Sequence, residues 1–413
     1  MARVYLLVAW IGLAVSISSP ASAQDYSRYK GQRVMTAKFD VEVREGNTII
    51  QRIGFGRVYE VTKVNGKWLW FNKALGGWVK AEDVVLYEDA IEHFDRLVRQ
   101  NPSASNYQKR GIVWQAKGEH DIALGDFNDA VRLEPNTGIY YSSRGTAWAN
   151  KGEFDRAIAD YDKAIRLGPR GSYMFSNRGK TWEAKGEYEK AIADYSEAIR
   201  LDSRNPGLYR ARGVARDMKG DRDKSLSDLN EAIRLQPTYV AAYISRGIVW
   251  RRKGNSDKAV SNFDEAIRLS PDSAHAYYNR ALSRFGTRDY DQAIVDLNEA
   301  IGLDSRFAAA YGLRAEIWEL IKGDENKALT DYSEAIRLEP SNAKHFYNRA
   351  RVWYAQKNND QAIADYNEAI RINPNYSLAY LKRSVVWSAM GEKEKADADR
   401  KKAILLEPEP TYR

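Results

Sequence analysis

Apolar and polar positions recur along most of the chain with a period of 34 residues, beginning at Ala104. With Ala104 as position 1, an aromatic residue stands at position 4, a small residue at position 8 and, in seven of nine units, Trp at position 11. These spacings place the residues on one face of a helix. Positions 20, 24 and 27 repeat the arrangement, as in Ala157, Tyr161 and Ala164. Each unit therefore predicts two antiparallel helices.

Proline and glycine mark the ends and the crossings of these helices. A proline at position 32 is expected to end the second helix, because it lacks the backbone donor and restricts the residue before it. It occurs in seven units, as Pro135, Pro169, Pro237, Pro271, Pro340, Pro374 and Pro408. Glycine at position 8 costs about 1 kcal/mol relative to alanine inside a helix. Its presence in five units predicts that the two helices cross there too closely for a side chain.

This pattern resembles the tetratricopeptide repeat, which it follows over residues 104–410. The resemblance implies a mainly α protein: a right-handed α-solenoid of about nine helix hairpins, with a concave groove lined by the first helices. The seventh unit departs from the pattern by one extra residue, near Ile321-Lys322-Gly323.

Residues 24–86 follow a different pattern, with short alternating runs separated by glycines and by the hairpin dipeptide Asn65-Gly66. About five strands are expected, forming a small all-β barrel. The segment resembles the bacterial Src-homology-3-like domain in Val43-Arg44 and in Gly77-Trp78-Val79. The resemblance implies contact with cell-wall polymers or peptides. Trp78 is expected in the core, and Trp68 and Trp70 are expected to share a face that offers a binding surface.

Residues 87–103 predict a capping half-repeat helix, with Ala90, Phe94 and Leu97 at positions 20, 24 and 27. Terminal repeats of a solenoid need such caps because each unit buries its apolar side only against its neighbours.

The first 23 residues combine Arg3, an apolar run from Val4 to Ile17 and the small residues Ala21-Ser22-Ala23. This order is typical of a signal peptide, and the run is shorter than the roughly 20 residues of a membrane span. We expect export, cleavage after Ala23 and a periplasmic location, with no integral membrane span in the mature chain. The chain has no cysteine, which excludes disulfides and thiolate sites.

Arginine occupies position 7 of every unit, and position 23 is acidic in eight, with Asn262 the exception. This pairing predicts an Arg–Asp bridge between the two helices of each unit. The alternative is a basic ladder that binds an anionic polymer. The net charge of +8 is spread over interleaved residues of both signs, so nucleic acid is not an expected partner.

No catalytic, cofactor or metal site is predicted. The four histidines, His93, His120, His275 and His345, lie far apart in sequence, and the chain has neither a glycine-rich phosphate loop nor a nucleophile motif. We therefore expect no enzymatic activity.

The leading hypothesis is a protein-interaction scaffold of the cell envelope that binds a protein or peptide in its groove. The alternative is an envelope-polymer (peptidoglycan) binding protein, in which the β-barrel carries the binding and the repeats act as an adaptor or spacer. The groove positions that the resemblance implies are 2, 5, 9, 12 and 13. The candidate partner-binding residues there are Arg251, Arg252, His275, Tyr278, Lys344, Tyr347, Arg351 and Tyr354.

Overall fold

The computed structural model describes residues 29–38, 40–46, 48–53, 55–71, 77–168 and 171–406. The predicted signal segment 1–23 and the prolines Pro169 and Pro408 lie outside them. The chain divides into two compact units, Met1–Lys219 and Gly220–Arg413. The boundary falls between the two helices of the fourth repeat.

The first unit begins with a β-sheet. Its strands are β1 (Arg33–Thr36), β2 (Val41–Glu45), β3 (Thr48–Ile53), β4 (Val58–Asn65), β5 (Trp68–Phe71), β6 (Trp78–Lys80) and β7 (Val84–Leu86). They pair antiparallel in the order β3-β2-β6-β5-β4-β1-β7. The predicted turn at Asn65-Gly66 joins β4 to β5, and Gly66 has a left-handed φ of 53°.

The structure corrects the predicted five-stranded closed barrel. There are seven strands, and β3 and β7 are edge strands that do not pair with each other among the described residues. The apolar side of the sheet is instead completed by helices. Phe55 packs edge-on against Phe94 at 5.4 Å between ring centroids, and Val113 belongs to the same buried cluster.

Besides these strands, the described residues of the first unit form a 3-10 helix, Ala81–Asp83, and eight α-helices: α1 (Ala90–Gln100), α2 (Ala104–Ala116), α3 (His120–Leu133), α4 (Gly138–Asn150), α5 (Phe154–Leu167), α6 (Ser172–Ala184), α7 (Tyr188–Leu201) and α8 (Pro206–Lys219). Consecutive helices pack against each other from α1 to α8. Helix α1 buries Ala90, Phe94 and Val98, whereas the predicted Leu97 is only partly buried.

The second unit continues the pattern with eleven helices: α9 (Arg222–Leu235), α10 (Val240–Arg252), α11 (Ser256–Leu269), α12 (Ala274–Gly286), α13 (Tyr290–Leu303), α14 (Ala308–Ile317), α15 (Glu325–Leu338), α16 (Ala343–Ala355), α17 (Asn359–Ile372), α18 (Ser377–Ala389) and α19 (Lys393–Leu406). The helices end where the prolines predict: α9 stops two residues before Pro237 and α17 two before Pro374.

The extra residue of the seventh repeat is absorbed in a π-helical turn, Trp318–Lys322, which follows α14 and ends at Gly323 with a φ of 64°. A π turn holds one more residue than an α turn. Trp318 therefore remains at position 11 of its unit and packs beside Trp353 in the same apolar cluster.

Close helix crossings at position 8 are confirmed. A Cβ added at Gly111 would lie 2.7 Å from the Phe127 ring, and one added at Gly247 would lie 2.6 Å from the Phe263 ring. Both rings stand at position 24 and are fully buried. The aromatic ring at position 24 thus occupies the space that a side chain at position 8 would need, as dense packing requires.

Candidate functional site

The first helices of successive repeats contact one another, as α10 does α12 and α16 does α18. The helices α12, α14 and α16 together line one pocket, and α10 contacts α12, so side chains of these four helices form a common surface. In the second unit we call the part formed by α10, α12, α14 and α16 the groove surface. It contains all eight candidate residues predicted for partner binding.

A pocket of about 300 Å³ opens on this surface across three repeats. It is lined by Tyr278, Leu282, Phe285, Ala309, Gly312, Leu313, Glu316, Glu339, Asn342, Lys344, His345 and Asn348. Aromatic and aliphatic side chains form its wall on α12, whereas α16 contributes polar groups. The structure thus brings the predicted residues Tyr278 and Lys344 to one site.

Gly312 creates much of this space. It stands at position 5 of its unit, where the neighbouring repeats have Tyr278 and Tyr347. A Cβ added at Gly312 would lie 3.0 Å from Cε1 of His345. A glycine inside a helix, away from the crossing position, was the sequence signal for this pocket, and Gly312 was not among the predicted site residues.

His345 is buried at the base of the pocket. Its Nε2 lies 3.2 Å from Oε2 of Glu339 and 3.1 Å from Nδ2 of Asn342. Burial lowers the pKa of the imidazole, opposed by the nearby Glu339 and assisted by Lys344. The neutral ring is therefore favoured.

Tyr278 and His275 pack on either side of a residue that the sequence analysis missed. The Phe307 ring lies 4.8 Å from the Tyr278 ring and 4.9 Å from the His275 ring, between centroids. Burial raises the pKa of the Tyr278 hydroxyl, and the nearby Arg251 opposes that rise. Tyr278 therefore presents a neutral hydroxyl beside a guanidinium group.

Arg251 is half-buried on this surface, and its Nε is buried with no hydrogen-bond partner among the described residues. Burial lowers the pKa of this guanidinium, and the adjacent Arg252 contributes in the same direction. Arg252 itself is exposed at the end of α10.

The structure corrects the predicted placement of Tyr347 and Arg351. Tyr347 is only 8% exposed, because its ring packs against Tyr376 at 5.1 Å and Tyr366 at 5.9 Å. The Nη2 atom of Arg351 lies 2.8 Å from Oε1 of Glu319. Both side chains therefore stabilise the helix packing and offer little to a partner. Tyr354 stays half-exposed nearby.

The position-7 arginines form the predicted bridge in at least seven units. In the second unit of the array, Nε and Nη2 of Arg144 donate to Asp160 at 2.8 and 2.7 Å. In the fifth unit Arg246 donates to Asn262 instead. Each arginine also reaches the second helix of the preceding unit, as Arg144 does with Asn128 at 2.9 Å. These groups are occupied within the array, so the basic-ladder alternative is not supported.

The sheet carries a second candidate surface, on the face opposite its core. Trp68 and Trp70 are half-buried there, on either side of the buried Leu69. Trp78 lies with them, its ring 5.2 Å from that of Trp70, and is not in the core as expected. The reason is strand alternation: the neighbouring Gly77 and Val79 are buried, so the Trp78 side chain lies on the opposite face of the strand.

The surface formed by Trp68, Trp70 and Trp78 is called the tryptophan face below. Two lysine side chains lie beside its rings. Lys63 and Lys80 place their Nζ atoms 6.0 Å from the centres of Trp70 and Trp68, respectively. A hollow of about 190 Å³ beside them is lined by Arg44, Gly46, Asn65, Trp68 and Trp78.

In the part of the chain that the structure describes, no group of histidine and acidic side chains is arranged to hold a metal ion. No helix there combines the length and the apolar character needed to cross a membrane.

Solved structures to which this chain is similar include a tetratricopeptide repeat protein from Parabacteroides merdae, at 19% identity, 63% coverage of this chain, 98% of that chain and a TM-score of 0.48. A human IFIT1 dimer with m7Gppp-AAAA is 14% identical, with 76% coverage of this chain, 76% of that chain and a TM-score of 0.49. YrrB, a TPR protein with an unusual peptide-binding site, is 22% identical, with 45% coverage of this chain, 97% of that chain and a TM-score of 0.38. The comparison with curated proteins found no significant match.

A family model described as tetratricopeptide repeat matches residues 109–172, 210–274, 246–309 and 322–377. A second, described as TPR repeat, matches residues 182–220. The first of these alone covers more than half of the chain, and the matched residues coincide with the helix pairs described above. The chain therefore belongs to the tetratricopeptide repeat family.

Proposed function

We propose that this protein is a non-enzymatic scaffold that binds a peptide segment of a partner on the groove surface of repeats five to eight. Tetratricopeptide repeat proteins act as protein–protein interaction scaffolds and bind protein or peptide partners. The observation that carries the placement is the pocket of about 300 Å³ on the groove surface. It combines an apolar wall with a few polar groups, which is typical of binding sites.

Site-specific photo-crosslinking tests this placement. A photoreactive amino acid at Lys344, which is exposed beside the pocket, is expected to crosslink a recurring partner in cells that make the protein. The matched control is Val295, which is 50% exposed on α13, the second helix of the sixth repeat. Equal crosslinking of that partner from both positions would contradict the placement.

We propose further that the protein works in the cell envelope after cleavage behind Ala23. The support is the order of charged, apolar and small residues in segment 1–23. Mass spectrometry of the protein isolated from its cells is expected to find a chain starting at Gln24. A chain that retains the first 23 residues would contradict export by this route.

A second candidate function is binding of the cell-wall polymer by the tryptophan face. Three partly exposed tryptophans beside Lys63 and Lys80 support it, because aromatic faces stack on sugars and cations attract the acidic groups of such polymers.

Cosedimentation of the full chain with purified peptidoglycan tests this second function. The full chain is needed because the sheet shares its core with α1 and α2. Replacing Trp68 and Trp70 by alanine should abolish cosedimentation, whereas Ile122→Ala, which removes an exposed apolar side chain from α3, should not. Retained cosedimentation of the double variant would rule out the tryptophan face.

A further inference from the structure

The ninth repeat differs from the other eight at the residues that receive a following repeat. In those eight, position 25 is Asn, Asp or Ser, which accepts a hydrogen bond from the position-7 arginine of the next unit. Position 21 is apolar in all eight, as Ile363 is in the eighth. In the ninth, position 21 is Asp397 and position 25 is Lys401. A further repeat of the same kind would bring an arginine against Lys401, so this face is unsuited to it.

Apolar side chains remain exposed on the same helix pair. Position 28 is Ile or Val in the eight preceding units and is buried or half-buried there, whereas Ile404 is 70% exposed. Its neighbour Leu405, which stands where seven of those units have arginine, is 79% exposed. We call this exposed surface the end face; it consists of Leu378, Leu381 and Val385 on α18 and of Asp397, Lys401, Ile404 and Leu405 on α19.

The earlier repeats show how such a face is covered within the array. In the sixth repeat, Tyr278 and Leu282, at positions 5 and 9, pack with Leu313 of the seventh repeat in one apolar cluster. Leu381 and Val385 hold the same two positions in the ninth repeat and are exposed within the described part of the chain. Because removal of apolar surface from water is favourable, the end face gains free energy from a partner that covers it.

The charges of the end face identify this partner, because they are complementary to a second copy of the same face. Asp397 and Lys401 stand one turn apart on α19 and therefore share one side of the helix. When two copies of α19 run antiparallel about a two-fold axis between these residues, Asp397 of each chain faces Lys401 of the other. Within its own helix, Asp397 accepts from Arg400 at 3.0 Å, an exposed pair that contributes little.

The apolar stripe of α18 fits the same two-fold axis. Leu378, Leu381 and Val385 are spaced by three and four residues and share one side of the helix. In an antiparallel pair of these helices, Leu378 of one chain faces Val385 of the other, and Leu381 lies near the axis. Arg383 donates to Asp399 across the hairpin at 2.6 Å, so the middle of the α18 stripe lies level with the middle of α19. One axis therefore serves both helices.

From these observations we propose that the protein forms a two-fold symmetric dimer through the end face of its ninth repeat. Helices α18 and α19 of each chain pack antiparallel against their counterparts, which buries the apolar side chains and pairs Asp397 with Lys401 twice. Because both chains use the same surface, the contact closes at two chains. The groove surface lies on other helices, so this dimer does not depend on the proposed function.

Sedimentation equilibrium of the chain isolated from its cells tests the dimer, over concentrations from about 1 to 100 μM. A monomer–dimer equilibrium is expected for the native chain. A native chain that is monomeric throughout this range, whether its end face is free or covered by another segment or molecule, would overturn the proposal. Far-ultraviolet circular dichroism confirms that each variant compared with it is folded.

A change in the apolar stripe locates the contact. Val385→Asp places a charge where the two copies of α18 meet and should raise the dimer dissociation constant about ten-fold or more. The matched control, Val295→Asp, makes the same change at an exposed site on α13 and should leave the dissociation constant unchanged. Equal dissociation constants for the two variants would overturn the placement of the contact on the end face.

Charge reversal tests the pairing on α19. Asp397→Lys alone sets lysine against lysine, and Lys401→Asp alone sets acid against acid, so each should weaken the dimer about ten-fold or more. An equimolar mixture of the two variants should dimerise as the native chain does, because every lysine then faces an acid of the other chain. Asp257→Lys, an exposed change on α11, is the control and should dimerise normally by itself. A mixture that stays monomeric would overturn the proposed antiparallel contact.

Discussion

At the scale of single residues, the position-7 arginine is the main polar device of the array. In the sixth repeat Arg280 donates to Asp296 on the second helix of its own unit at 2.6 Å. It also donates to Asp264 of the preceding unit at 2.6 Å. One planar guanidinium thus joins three helices, which lysine could not do with the same geometry.

Asp296→Ala is expected to destabilise the second unit by about 3 kcal/mol, because removal of one partner leaves buried charges without compensation. Asp296 is completely buried and also accepts from Arg284 at 2.8 Å. Urea unfolding measures the change. The control is Glu265→Ala, which removes an exposed acid paired with Arg268 and should have little effect. Equal effects of the two variants would contradict a structural role for the buried pair.

His345 predicts a pH-dependent stability. Its pKa is lowered in the folded chain by burial, so below the ordinary histidine pKa of about 6.5 the unfolded chain binds protons first. The contribution of His345 is therefore retained at pH 7 and is lost as the pH falls from about 6.5 toward the lowered value. The free energy of unfolding of His345→Gln should fall less over this range.

The control for that comparison is Val295→Ala, which changes an exposed side chain on α13 without removing a titrating group and should keep the native pH dependence. Measurements at several pH values between about 5 and 7.5 separate the two, since the other titrating groups remain in all three chains. Parallel curves for the native chain and His345→Gln would refute the assignment.

At the scale of elements, helix crossings are set by the small residue at position 8 and the large one at position 24. Gly247→Ala is expected to destabilise the fifth repeat by about 1–2 kcal/mol, because overpacking against the buried Phe263 outweighs the gain in helix propensity. Gly302→Ala, whose Cβ would meet open space, should stabilise the chain slightly. Thermal unfolding compares them, and stabilisation by both would show that the crossing tolerates a methyl group.

The π turn of the seventh repeat shows what a helix does with an extra residue. The widened turn keeps Trp318 and Glu319 at positions 11 and 12, and Glu319 there accepts from Tyr332 at 3.0 Å. The sequence located the insertion. Its conformation depends on the packing of Trp318 and Tyr332 across the helix pair, which no local pattern encodes.

At the scale of the first unit, the sheet and the first repeat form one core. Phe55→Ala should therefore raise amide hydrogen exchange in α1 and α2 as well as in the sheet, and leave α16–α19 unchanged, since solenoid repeats are stabilised by their neighbours. Tyr173→Ala, an exposed change on α6, is the control. Increased exchange confined to the sheet would mean that α1 and α2 are stable without it.

The groove surface shows which pocket residues can be predicted from repeat positions alone. Tyr278 and Lys344 were identified from their repeat positions and do line the pocket. Tyr347 was chosen on the same grounds and is buried, because Tyr376 in the following loop covers it. Gly312 was missed, because it has no side chain and its contribution is the space that it leaves beside His345.

The sequence alone determined the helical repeats, their ends, the crossings at position 8 and the Arg–Asp pairs. These depend on spacing within one or two helices, so a 34-residue period specifies them. Tertiary structure alone decided that the sheet stays open against α1, that Trp78 faces outward, and which groove side chains remain accessible. Those features depend on contacts between distant segments, where side-chain volume and competition for partners select one arrangement among several that the pattern permits.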